Sequence, residues 1–539
     1  MTQFMNRKED IVTDAIDGAI RASGGDLVRL DGYPYIRVVA RADWDKSKVA
    51  LVSGGGSGHE PAHAGFVGPG MLTAAVCGDV FASPSVDAVL AGILAVTGAA
   101  GCLLIVKNYT GDRLNFGLAA ERARAFGLSV NMVIVDDDIA LPDLPQPRGV
   151  AGTLFVHKIA GGLAENGGDL ASVTAAANRV IEGTMSLGMS LDTCTVPGSP
   201  KEHRIPEGKA ELGLGIHGEA GIEQIAFESA AQAMQTIAGR LAPRMSDMPY
   251  AAILNNLGGT SALEMSVLSN ELAVSEIGGR IKLLVGPATM MSSLDMRGFS
   301  VSICPLGEVD EQLLAQPCPM TAWPGAKTLG PIETLQLSDR LTPIKSLSSE
   351  HAETAELLRK CCKILIAAEG DLNALDAISG DGDTGSTLAS AGRALIVSID
   401  SLPLADHALL FRAIGQELSQ TMGGSSGALL AIFFAAAGDG ASSGLLLQDA
   451  LKAGLQRMQE IGGARLGDRT MIDALQPALN VLDKGIGAAA AAARRGADYT
   501  ATLTKANAGR AAYISAVRLQ GNIDPGAEAV ARLFEQLQT

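Results

Sequence analysis

Short apolar runs alternate with longer segments of helical periodicity over roughly the first 320 residues of the chain. Five of the short runs are predicted to be buried strands, because they are brief and rich in β-branched or other apolar residues. They are residues 49–52, 102–106, 132–135, 251–254 and 281–285. Strands that alternate with helices in this way indicate an α/β domain built on a mixed or parallel sheet.

From residue 351 onward the strand pattern ends, and apolar residues recur at helical spacing, as at Leu410, Ile414 and Leu418. This half of the chain is therefore predicted to be all-α. Between the halves, residues 317–349 carry five prolines and scattered Gly, Ser and Thr without periodicity, which is typical of a linker between domains.

The predicted organisation is an α/β domain over residues 1–325, a linker over 326–350 and an all-α domain over 351–539. A break rich in Ser, Thr and Pro over residues 183–213 divides the α/β domain into subdomains of about 1–185 and 186–325. A linker of this length would let the two domains move relative to one another.

Composition and charge remove several classes of function. The formal net charge is −16 and no basic cluster is longer than a few residues, so no nucleic acid partner is expected. The longest apolar run, residues 428–437, is about half of what a bilayer crossing needs. The N-terminus shows no secretory signal, and the seven cysteines have no paired motif. We therefore expect a cytoplasmic protein with reduced thiols and no membrane partner.

The first candidate site is a glycine-rich segment after the strand 49–52. Residues 53–61 read SGGGSGHEP, and consecutive glycines let backbone N–H groups approach an oxygen-rich small molecule or a phosphate. The segment is neither a Walker loop nor a dinucleotide fingerprint, since no Lys-Ser/Thr follows and His59 replaces the third glycine. An imidazole at this position could exchange protons with a bound hydroxyl. The alternative is a flexible turn between a strand and a helix.

A second candidate site follows the strand 102–106, where residues 107–112 read KNYTGD. Loops at the carboxyl ends of α/β strands hold ligands, so Lys107 and Asp112 are expected to contact substrate. Asp112 could accept a proton from a hydroxyl that attacks phosphorus. The alternative is a surface turn with an aspartate that caps a helix.

A third candidate site is His217, within the segment GLGIHGEAG at residues 213–221. Glycines on both sides allow a ligand to approach the ring closely. A neutral imidazole nitrogen can add to a carbonyl carbon, which makes covalent capture of a substrate chemically possible. The alternative is a histidine that is structural or merely exposed.

The fourth candidate site lies in the helical half, where Asp376, Asp381 and Asp383 fall within eight residues that contain no Lys or Arg. Such carboxylates repel one another unless a cation neutralises them, and hard oxygen ligands indicate Mg²⁺ bridged to phosphates. The alternative, an Asp-Gly turn in which Asp383 caps a helix, explains one aspartate and not three. Further Gly/Ser loops, at residues 422–427, 462–463 and 524–526, precede or open helices, whose N-termini favour phosphate oxygens.

Taken together, these motifs resemble the ATP-dependent dihydroxyacetone kinases, in which a K-type substrate domain is fused to an L-type nucleotide domain. The resemblance covers essentially the whole chain. It rests on the following strings, which occur in the family's order: GGGSGHEPAH, CGDVFASPS, KNYTGDRLNFG, GIHGE, NNLGG, DGDTGST, GGSSG, GDRTMIDALQP, KANAGRA and DPGA. It implies a two-part α/β substrate domain, an antiparallel barrel of eight helices and a homodimer.

The resemblance also implies the roles of individual residues. His217 would form a covalent hemiaminal with the ketone carbon, and His59 and Asp112 would act as acid and base. Gly56, Ser57, Gly58 and Lys107 would line the same pocket. Asp376, Asp381 and Asp383 would hold two Mg²⁺ ions that bridge the phosphates of ATP. The remaining nucleotide contacts would be Thr384, Gly385, Ser386, Thr387, Ser425, Ser426, Gly462, Met471, Arg510, Asp524, Pro525 and Gly526.

The expected reaction is transfer of phosphate from ATP to the terminal hydroxyl of dihydroxyacetone. Three alternatives stay open at this stage. The substrate could be another short carbonyl sugar, such as erythrulose, glyceraldehyde or a branched pentulose, and relatives also split FAD to a cyclic flavin phosphate. The chain could instead be a sugar-sensing co-regulator, although its full set of catalytic motifs argues against this. A form that is recharged by a phosphocarrier has separate subunits, so the fused chain predicts use of free ATP.

Overall fold

The computed structural model describes residues 3–32, 35–140, 147–338 and 347–538. It divides into two compact units, Met1–Glu333 and Thr334–Thr539. The first unit is α/β and the second is helical throughout its described part, which confirms the predicted fold class.

Two sheets form the framework of the first unit. The six-stranded sheet has the order β1-β2-β4-β3-β5-β6, and its β4, β3, β5 and β6 run parallel. Its strands are β1 (Leu27–Arg29), β2 (Val38–Arg41), β3 (Ala50–Ser57), β4 (Ala74–Val80), β5 (Cys102–Lys107) and β6 (Val130–Val135). The carboxyl ends of β3 and β5 therefore meet at one edge, which brings the segments that follow them together.

The seven-stranded sheet has the order β13-β11-β10-β12-β7-β8-β9, and among its described pairs of neighbouring strands only β10 and β11 are parallel. Its strands are β7 (Met185–Ser190), β8 (Lys209–Leu212), β9 (Glu223–Ala226), β10 (Tyr250–Asn256), β11 (Ile281–Thr289), β12 (Gly298–Pro305) and β13 (Ala326–Thr328). Both sheets are mixed, as expected, and all five strand predictions are confirmed.

Among the described residues of the first unit, eight α-helices cover these sheets. They are α1 (Ile11–Ala22), α2 (Val86–Val96), α3 (Thr110–Ala125), α4 (Thr153–Glu165), α5 (Leu170–Gly183), α6 (Ala230–Leu241), α7 (Ala262–Val274) and α8 (Glu308–Ala315). One apolar cluster joins the two sheets, since it contains Leu51 and Ile105 of the first sheet together with Ile253 and Val285 of the second. The two sheets therefore share a core.

Two predictions about chain organisation need correction or extension. The strand before the glycine segment is predicted to end at residue 52, but β3 continues through the segment to Ser57. The reason is packing, because a Cβ at Gly54 would lie 2.2 Å from the Val76 carbonyl oxygen, so only glycine lets β3 and β4 pair there. In the predicted linker, Ala326–Thr328 forms β13 and pairs with β11. Residues 339–346 of that linker lie outside the described residues, and the domain boundaries remain a prediction.

The second unit is a ring of helices. The helices are α9 (Ala352–Ala367), α10 (Glu369–Ser379), α11 (Thr384–Ser398), α12 (His407–Thr421), α13 (Gly424–Ser442), α14 (Leu447–Gly462), α15 (Ile472–Asn480), α16 (Ile486–Thr500), α17 (Ala516–Leu519) and α18 (Pro525–Gln538). From α11 to α16 each helix packs on the next, and α18 packs on α16 and closes the ring on α9 and α10. Only Ala368 separates α9 from α10, and both helices pack on α11 and on α18.

The helix α13 is long and apolar enough to cross a membrane on length and composition alone, which no other helix of the described residues is. Within the ring it packs against α12 and α14.

The buried carboxyl of Asp137, just after β6, makes the stability of the first unit depend on pH. It accepts hydrogen bonds from the backbone N–H groups of Val150 and Gly152, at 2.8 Å each, and from the Ser186 hydroxyl. Burial nevertheless raises the pKa of Asp137 to about 6, against these hydrogen bonds. The native state thus binds a proton more tightly than the unfolded state, so the free energy of unfolding falls as pH rises from about 4 to about 6.

We expect Asp137→Asn to reduce this slope, since an amide does not titrate. A rise of the Asp137 pKa to about 6 corresponds to about 3 kcal/mol. Urea unfolding should be followed by tryptophan fluorescence, because both tryptophans, Trp44 and Trp323, lie in the first unit. The exposed Asp247→Asn is the control. Equal slopes for Asp137→Asn and the unsubstituted chain would contradict the prediction.

Candidate functional site

The first two predicted motifs meet at the shared edge of β3 and β5. A Cβ at Gly55 would lie 3.3 Å from Asp112 Oδ2 and 3.5 Å from Lys107 Nζ. Gly55 also has φ +145°, so a side chain would be disfavoured by backbone conformation as well as by space. The glycine is therefore what lets the β3 backbone approach this buried ammonium and carboxylate.

His59 is fully buried at this edge and is held in one tautomer. Its Nδ1 lies 2.9 Å from the Ser292 carbonyl oxygen, which can only accept, so Nδ1 carries the proton. Nε2 is then a lone-pair acceptor, and it has no described hydrogen-bond partner. Burial, with help from the charge of Lys107, lowers the pKa of His59 well below its usual value. The ring is thus neutral and offers a base to the pocket.

His217 comes from the loop after β8, and its ring centroid lies 4.8 Å from that of His59. Glu219 holds it at two points: Oε2 accepts the His217 backbone N–H at 2.8 Å, and Oε1 lies 3.2 Å from Nδ1. Burial acts to raise the pKa of Glu219, but the His217 ring and backbone outweigh it and hold the pKa at about 2. Because the ionised carboxylate accepts the Nδ1 proton, the lone pair of His217 is on Nε2.

Lys107 and Asp112 are both buried beside these imidazoles. Lys107 Nζ has no described hydrogen-bond partner, and burial lowers the pKa of Lys107, opposed chiefly by the charge of Asp112. Asp112, in the first turn of α3, accepts the Ser83 hydroxyl through Oδ1. The amine of Lys107 and the carboxyl of Asp112 thus lie next to the neutral His59 ring and the His217 ring.

The other predicted residues of the glycine segment are Gly56, Ser57 and Gly58. Their hydrogen bonds and close contacts fix the course of the backbone beside the site. The Ser57 hydroxyl donates to the Gly78 carbonyl oxygen at 2.8 Å, and the Gly58 N–H donates to Glu60 Oε2 at 2.9 Å. A Cβ at Gly56 would lie 2.6 Å from the Ala82 backbone nitrogen. The Ser57 hydroxyl proton is therefore engaged within the protein.

Sequence reasoning included Gly55 in the glycine segment without giving it a role of its own, and it missed the roles of three side chains of this site. Phe81 stacks on His59 at a centroid distance of 5.4 Å, and Tyr109 meets the His217 ring edge-on at 4.4 Å. Glu219 is the residue that orients His217. The signals were present, since Tyr109 stands between Lys107 and Asp112, and Glu219 follows His217 by two residues.

In the second unit the structure brings the three predicted aspartates together. Asp376, Asp381 and Asp383 each offer a carboxylate oxygen, and these oxygens lie within 4.8 Å of one another. Oxygen ligands of this charge and spacing fit Mg²⁺. The guanidinium of Arg510 pairs with Asp381 and lies 4.0 Å from Asp383. Its positive charge therefore offsets part of the negative charge of the three aspartates.

Asp376 differs from its two neighbours because it is buried and shapes the loop. Its Oδ2 accepts the backbone N–H groups of Gly382, Asp383 and Thr384 at 3.1, 3.0 and 3.1 Å. Asn373 and Ser386 exchange two further hydrogen bonds across the same loop, at 2.9 and 3.0 Å. The loop therefore has a defined shape and delivers Asp381 and Asp383 to the start of α11.

The predicted phosphate contacts lie at helix N-termini. Thr384, Gly385, Ser386 and Thr387 form the first turn of α11, and Ser425 and Ser426 lie in the first turn of α13. In the first turn of α11 the N–H groups of Thr384, Ser386 and Thr387 donate within the protein, to Asp376, Asn373 and Asp383. The positive ends of the two helix dipoles and the side-chain hydroxyls at these positions suit phosphate oxygens.

The remaining predicted nucleotide residues fall into two places. Asp524, Pro525 and Gly526 open α18, and a Cβ at Gly526 would lie 3.2 Å from Met471 Cβ, so these segments touch. Burial raises the pKa of Asp524 to about 6, opposed by the Ala527 N–H. Gly462 ends α14 and packs on Leu429 of α13. Among the described hydrogen bonds and ion pairs, none joins Ser425, Ser426 or Gly462 to the aspartates.

Both parts of the chain are similar to known protein domains. The Dak1 domain model matches residues 18–322 and the DAK2 domain model matches residues 378–539. The chain is 49% identical to a dihydroxyacetone kinase of Citrobacter freundii, over 99% of this chain and 98% of the relative. It is 39% identical to the human triokinase/FMN cyclase, over 99% and 98% of the two chains.

A solved structure agrees over the same length. The crystal structure of the C. freundii dihydroxyacetone kinase in complex with AMP-PNP and Mg²⁺ matches with a TM-score of 0.71 and 47% identity, covering 99% of both chains. With two domain models and a full-length relative in agreement, the chain belongs to the dihydroxyacetone kinase family, and it carries the Dak1 and Dak2 domains of that family in one polypeptide.

Proposed function

We propose that this ATP- and Mg²⁺-dependent kinase phosphorylates the terminal hydroxyl of dihydroxyacetone, and that it first captures the ketone as a hemiaminal on His217. The observation that carries the proposal is the Glu219 contact, which engages Nδ1 of His217 and leaves the lone pair of Nε2 free. A carbohydrate carbonyl is the electrophile that such a nitrogen can attack.

Capture needs charge to be stabilised on both reacting partners. As Nε2 bonds to the ketone carbon, the imidazole gains positive charge, which the Glu219 carboxylate on the Nδ1–H stabilises. The ketone oxygen takes the electron pair and then a proton, for which the buried Lys107 ammonium is a donor within the pocket. The Nε2 lone pair of His59 can accept a hydrogen bond from a substrate hydroxyl.

Capture also provides selectivity that pocket shape alone would supply poorly. Glycerol has the hydroxyls of dihydroxyacetone but no carbonyl, so it cannot form the bond to His217. A tethered substrate presents its terminal hydroxyl in a fixed orientation, which lowers the entropic part of the barrier.

Phosphate transfer requires a base that accepts the proton of that hydroxyl. It also requires groups that bind the nucleotide and neutralise the charge of its phosphates. Asp112 would accept the hydroxyl proton as the oxygen attacks the γ-phosphorus of ATP. Asp376, Asp381 and Asp383 would hold Mg²⁺, which when bound neutralises charge on the phosphates. The helix N-termini at Thr384 and Ser425, together with Arg510 and the segments at Met471 and Asp524, would bind the nucleotide.

Glu219→Gln tests the orienting carboxylate. The amide preserves shape but removes the charge that stabilises the imidazole during capture. Removing the orienting aspartate of a Ser-His-Asp triad costs about 10⁴-fold in rate. Because the Glu219 side chain is 39% exposed, we expect a smaller loss of about 100-fold in kcat/KM for dihydroxyacetone.

A purely structural role for Glu219 would lower stability and leave the pH profile unchanged. The pH dependence of kcat/KM should therefore be measured beside the melting temperature. An unchanged profile and full activity in Glu219→Gln would contradict the assigned role.

The substrate is tested with purified protein, ATP and Mg²⁺ and no phosphocarrier. The panel comprises dihydroxyacetone, glyceraldehyde, erythrulose, a branched pentulose and glycerol, and the phosphorylated position is read by NMR. We expect dihydroxyacetone to be phosphorylated with the highest kcat/KM and glycerol not at all. Phosphorylation of glycerol at a comparable rate would overturn the capture mechanism, and no turnover with any sugar would favour a sensor.

A second candidate substrate has specific support. The human relative is named triokinase/FMN cyclase, which favours including glyceraldehyde and FAD in the panel. A higher kcat/KM for another short carbonyl sugar would replace dihydroxyacetone and leave the capture chemistry in place. The homodimer and the cytoplasmic location stay predictions from the resemblance and the composition.

A further inference from the structure

Arg469, in the segment just before α15, is buried although it carries a charge. The residue is 1% exposed, and its Nε and Nη1 have no described hydrogen-bond partner. Its Nη2 donates to the Asn522 carbonyl oxygen at 2.8 Å. An arginine has five N–H donors and keeps its charge in proteins, so burying it with a single described acceptor is costly. A side chain kept in the interior at this cost calls for a functional explanation.

The backbone at Arg469 is also held in an unfavourable conformation. Its φ is +61°, in the left-handed region that residues with a side chain rarely adopt. The carboxylate of Asp473 accepts the backbone N–H groups of Gly467 and Thr470, at 2.5 and 2.8 Å, and so fixes the chain on both sides of Arg469. Strain of this kind is concentrated at binding and catalytic sites, where the surroundings enforce it. Burial and strain thus coincide at one residue.

The guanidinium of Arg469 joins two segments that are far apart along the chain. Asn522 lies 53 positions after Arg469 and two residues before Asp524. The same two segments also touch at the start of α18, where a Cβ at Gly526 would lie 3.2 Å from Met471 Cβ. Met471, Asp524 and Gly526 are all among the predicted nucleotide contacts. Arg469 is therefore a polar link between two parts of the predicted nucleotide site.

The charge of Arg469 acts on the same turn. Asp524 is 9% exposed, and its Oδ2 accepts the Ala527 N–H at 2.9 Å in the first turn of α18. Burial raises the pKa of Asp524 to about 6, and the Ala527 N–H and the charge of Arg469 oppose this rise. The guanidinium therefore favours the ionised form of Asp524, which is the form that accepts hydrogen bonds at the start of the helix.

We infer that Arg469 is a positioning residue of the nucleotide site, which holds the turn 522–526 beside Met471 through the Asn522 carbonyl oxygen before ATP binds. Because Nε and Nη1 are closed to solvent, Arg469 acts on the nucleotide through this turn and not by direct contact. A turn that is already ordered lowers the entropic cost of binding. The inference rests on the proposed use of ATP and is independent of the proposed hemiaminal on His217.

Arg469→Met tests this link, because it removes the charge and all five donors but keeps a long side chain. A hydrogen bond from a charged donor is strong enough that we expect KM for ATP to rise about tenfold or more. KM for dihydroxyacetone should stay unchanged, because His217 belongs to the other compact unit. The two constants are obtained from kinase turnover with each substrate varied in turn, and calorimetric titration with AMP-PNP and Mg²⁺ measures nucleotide affinity directly.

A second measurement reports the turn itself. Backbone hydrogen exchange of residues 520–527, followed by mass spectrometry on the nucleotide-free chain, should be faster in Arg469→Met than in the unsubstituted chain. Arg469→Lys keeps the charge but not the planar set of donors, and should show both effects to a smaller degree. Arg412→Met is the matched control, since Arg412 is 47% exposed on α12 and pairs with Asp439 at 2.8 Å. It should change neither KM nor the exchange of this turn.

A merely structural role would lower the melting temperature of Arg469→Met and leave KM for ATP unchanged. The inference is overturned by that result, by unchanged exchange of residues 520–527, or by an equal rise of KM for both substrates. If Arg469→Met does not fold, Arg469→Lys decides the question with the same two readouts. Failure of the unsubstituted chain to bind AMP-PNP or to use ATP would overturn the proposed function together with this inference, which distinguishes the two cases.

Discussion

Replacement of His217 by alanine is expected to lower kcat/KM for dihydroxyacetone by about 1,000-fold or more. The proposed capture converts substrate positioning into a covalent constraint, and effects of this kind are worth several kcal/mol of the barrier. Alanine has no nitrogen at the position that Glu219 orients. Dihydroxyacetone labelled with ¹³C at its ketone carbon should give a tetrahedral carbon signal with the unsubstituted chain and only the free-substrate signals with His217→Ala.

The variant should also lose its preference for a ketone over glycerol. Nucleotide binding should persist, because the aspartates and Arg510 belong to the other compact unit. His203→Ala, an exposed histidine of the same unit, serves as control and should keep full activity. Full discrimination against glycerol in His217→Ala would show that the pocket recognises dihydroxyacetone without the covalent bond.

The second large effect is expected at the aspartate cluster. Asp381→Asn removes one negative charge from three carboxylates whose oxygens lie within 4.8 Å of one another. Mutation of outer-shell partners of metal sites already costs 10–100-fold. Loss of a direct ligand should therefore weaken Mg²⁺-dependent ATP binding by at least about 100-fold, as measured by calorimetric titration at several Mg²⁺ concentrations.

A matched control exists in the same helical unit. Asp400 is 89% exposed and pairs with Arg359 at 2.9 Å, so Asp400→Asn makes the same chemical change away from the cluster. It should leave nucleotide affinity unchanged. The ¹³C signal of captured dihydroxyacetone should persist in Asp381→Asn, since His217 is intact. Unaltered Mg²⁺-dependent ATP binding in Asp381→Asn would remove Asp381 from the metal site.

The pattern of apolar residues along the chain was sufficient to predict the fold class and the positions of the interior strands. The runs at 102–106 and 281–285 are short and apolar because both faces of those strands are largely buried, and such runs are easily recognised. The continuation of β3 through its glycines was not predictable from propensity, because it depends on the close approach of Val76 from β4. The strand β13 was missed because three residues, mostly exposed, carry no periodicity.

At the candidate site, sequence patterns identified residue types better than their partners. His59, Lys107 and Asp112 follow neighbouring strands, so their proximity could be inferred from α/β topology. The tautomer of His59 could not, because it depends on the Ser292 carbonyl oxygen, 233 positions along the chain. The edge-on contact of Tyr109 with His217 likewise depends on tertiary packing between segments far apart in sequence.

The three backbone hydrogen bonds accepted by Asp376 have a consequence for repeated catalysis. One carboxylate oxygen fixes the bend of residues 382–384 from within the protein, before any ion or nucleotide is involved. The conformational entropy of that bend is therefore lost once, when the chain folds, and not on every binding event. ATP can enter and ADP can leave while the ligand-bearing segment keeps its form from one turnover to the next.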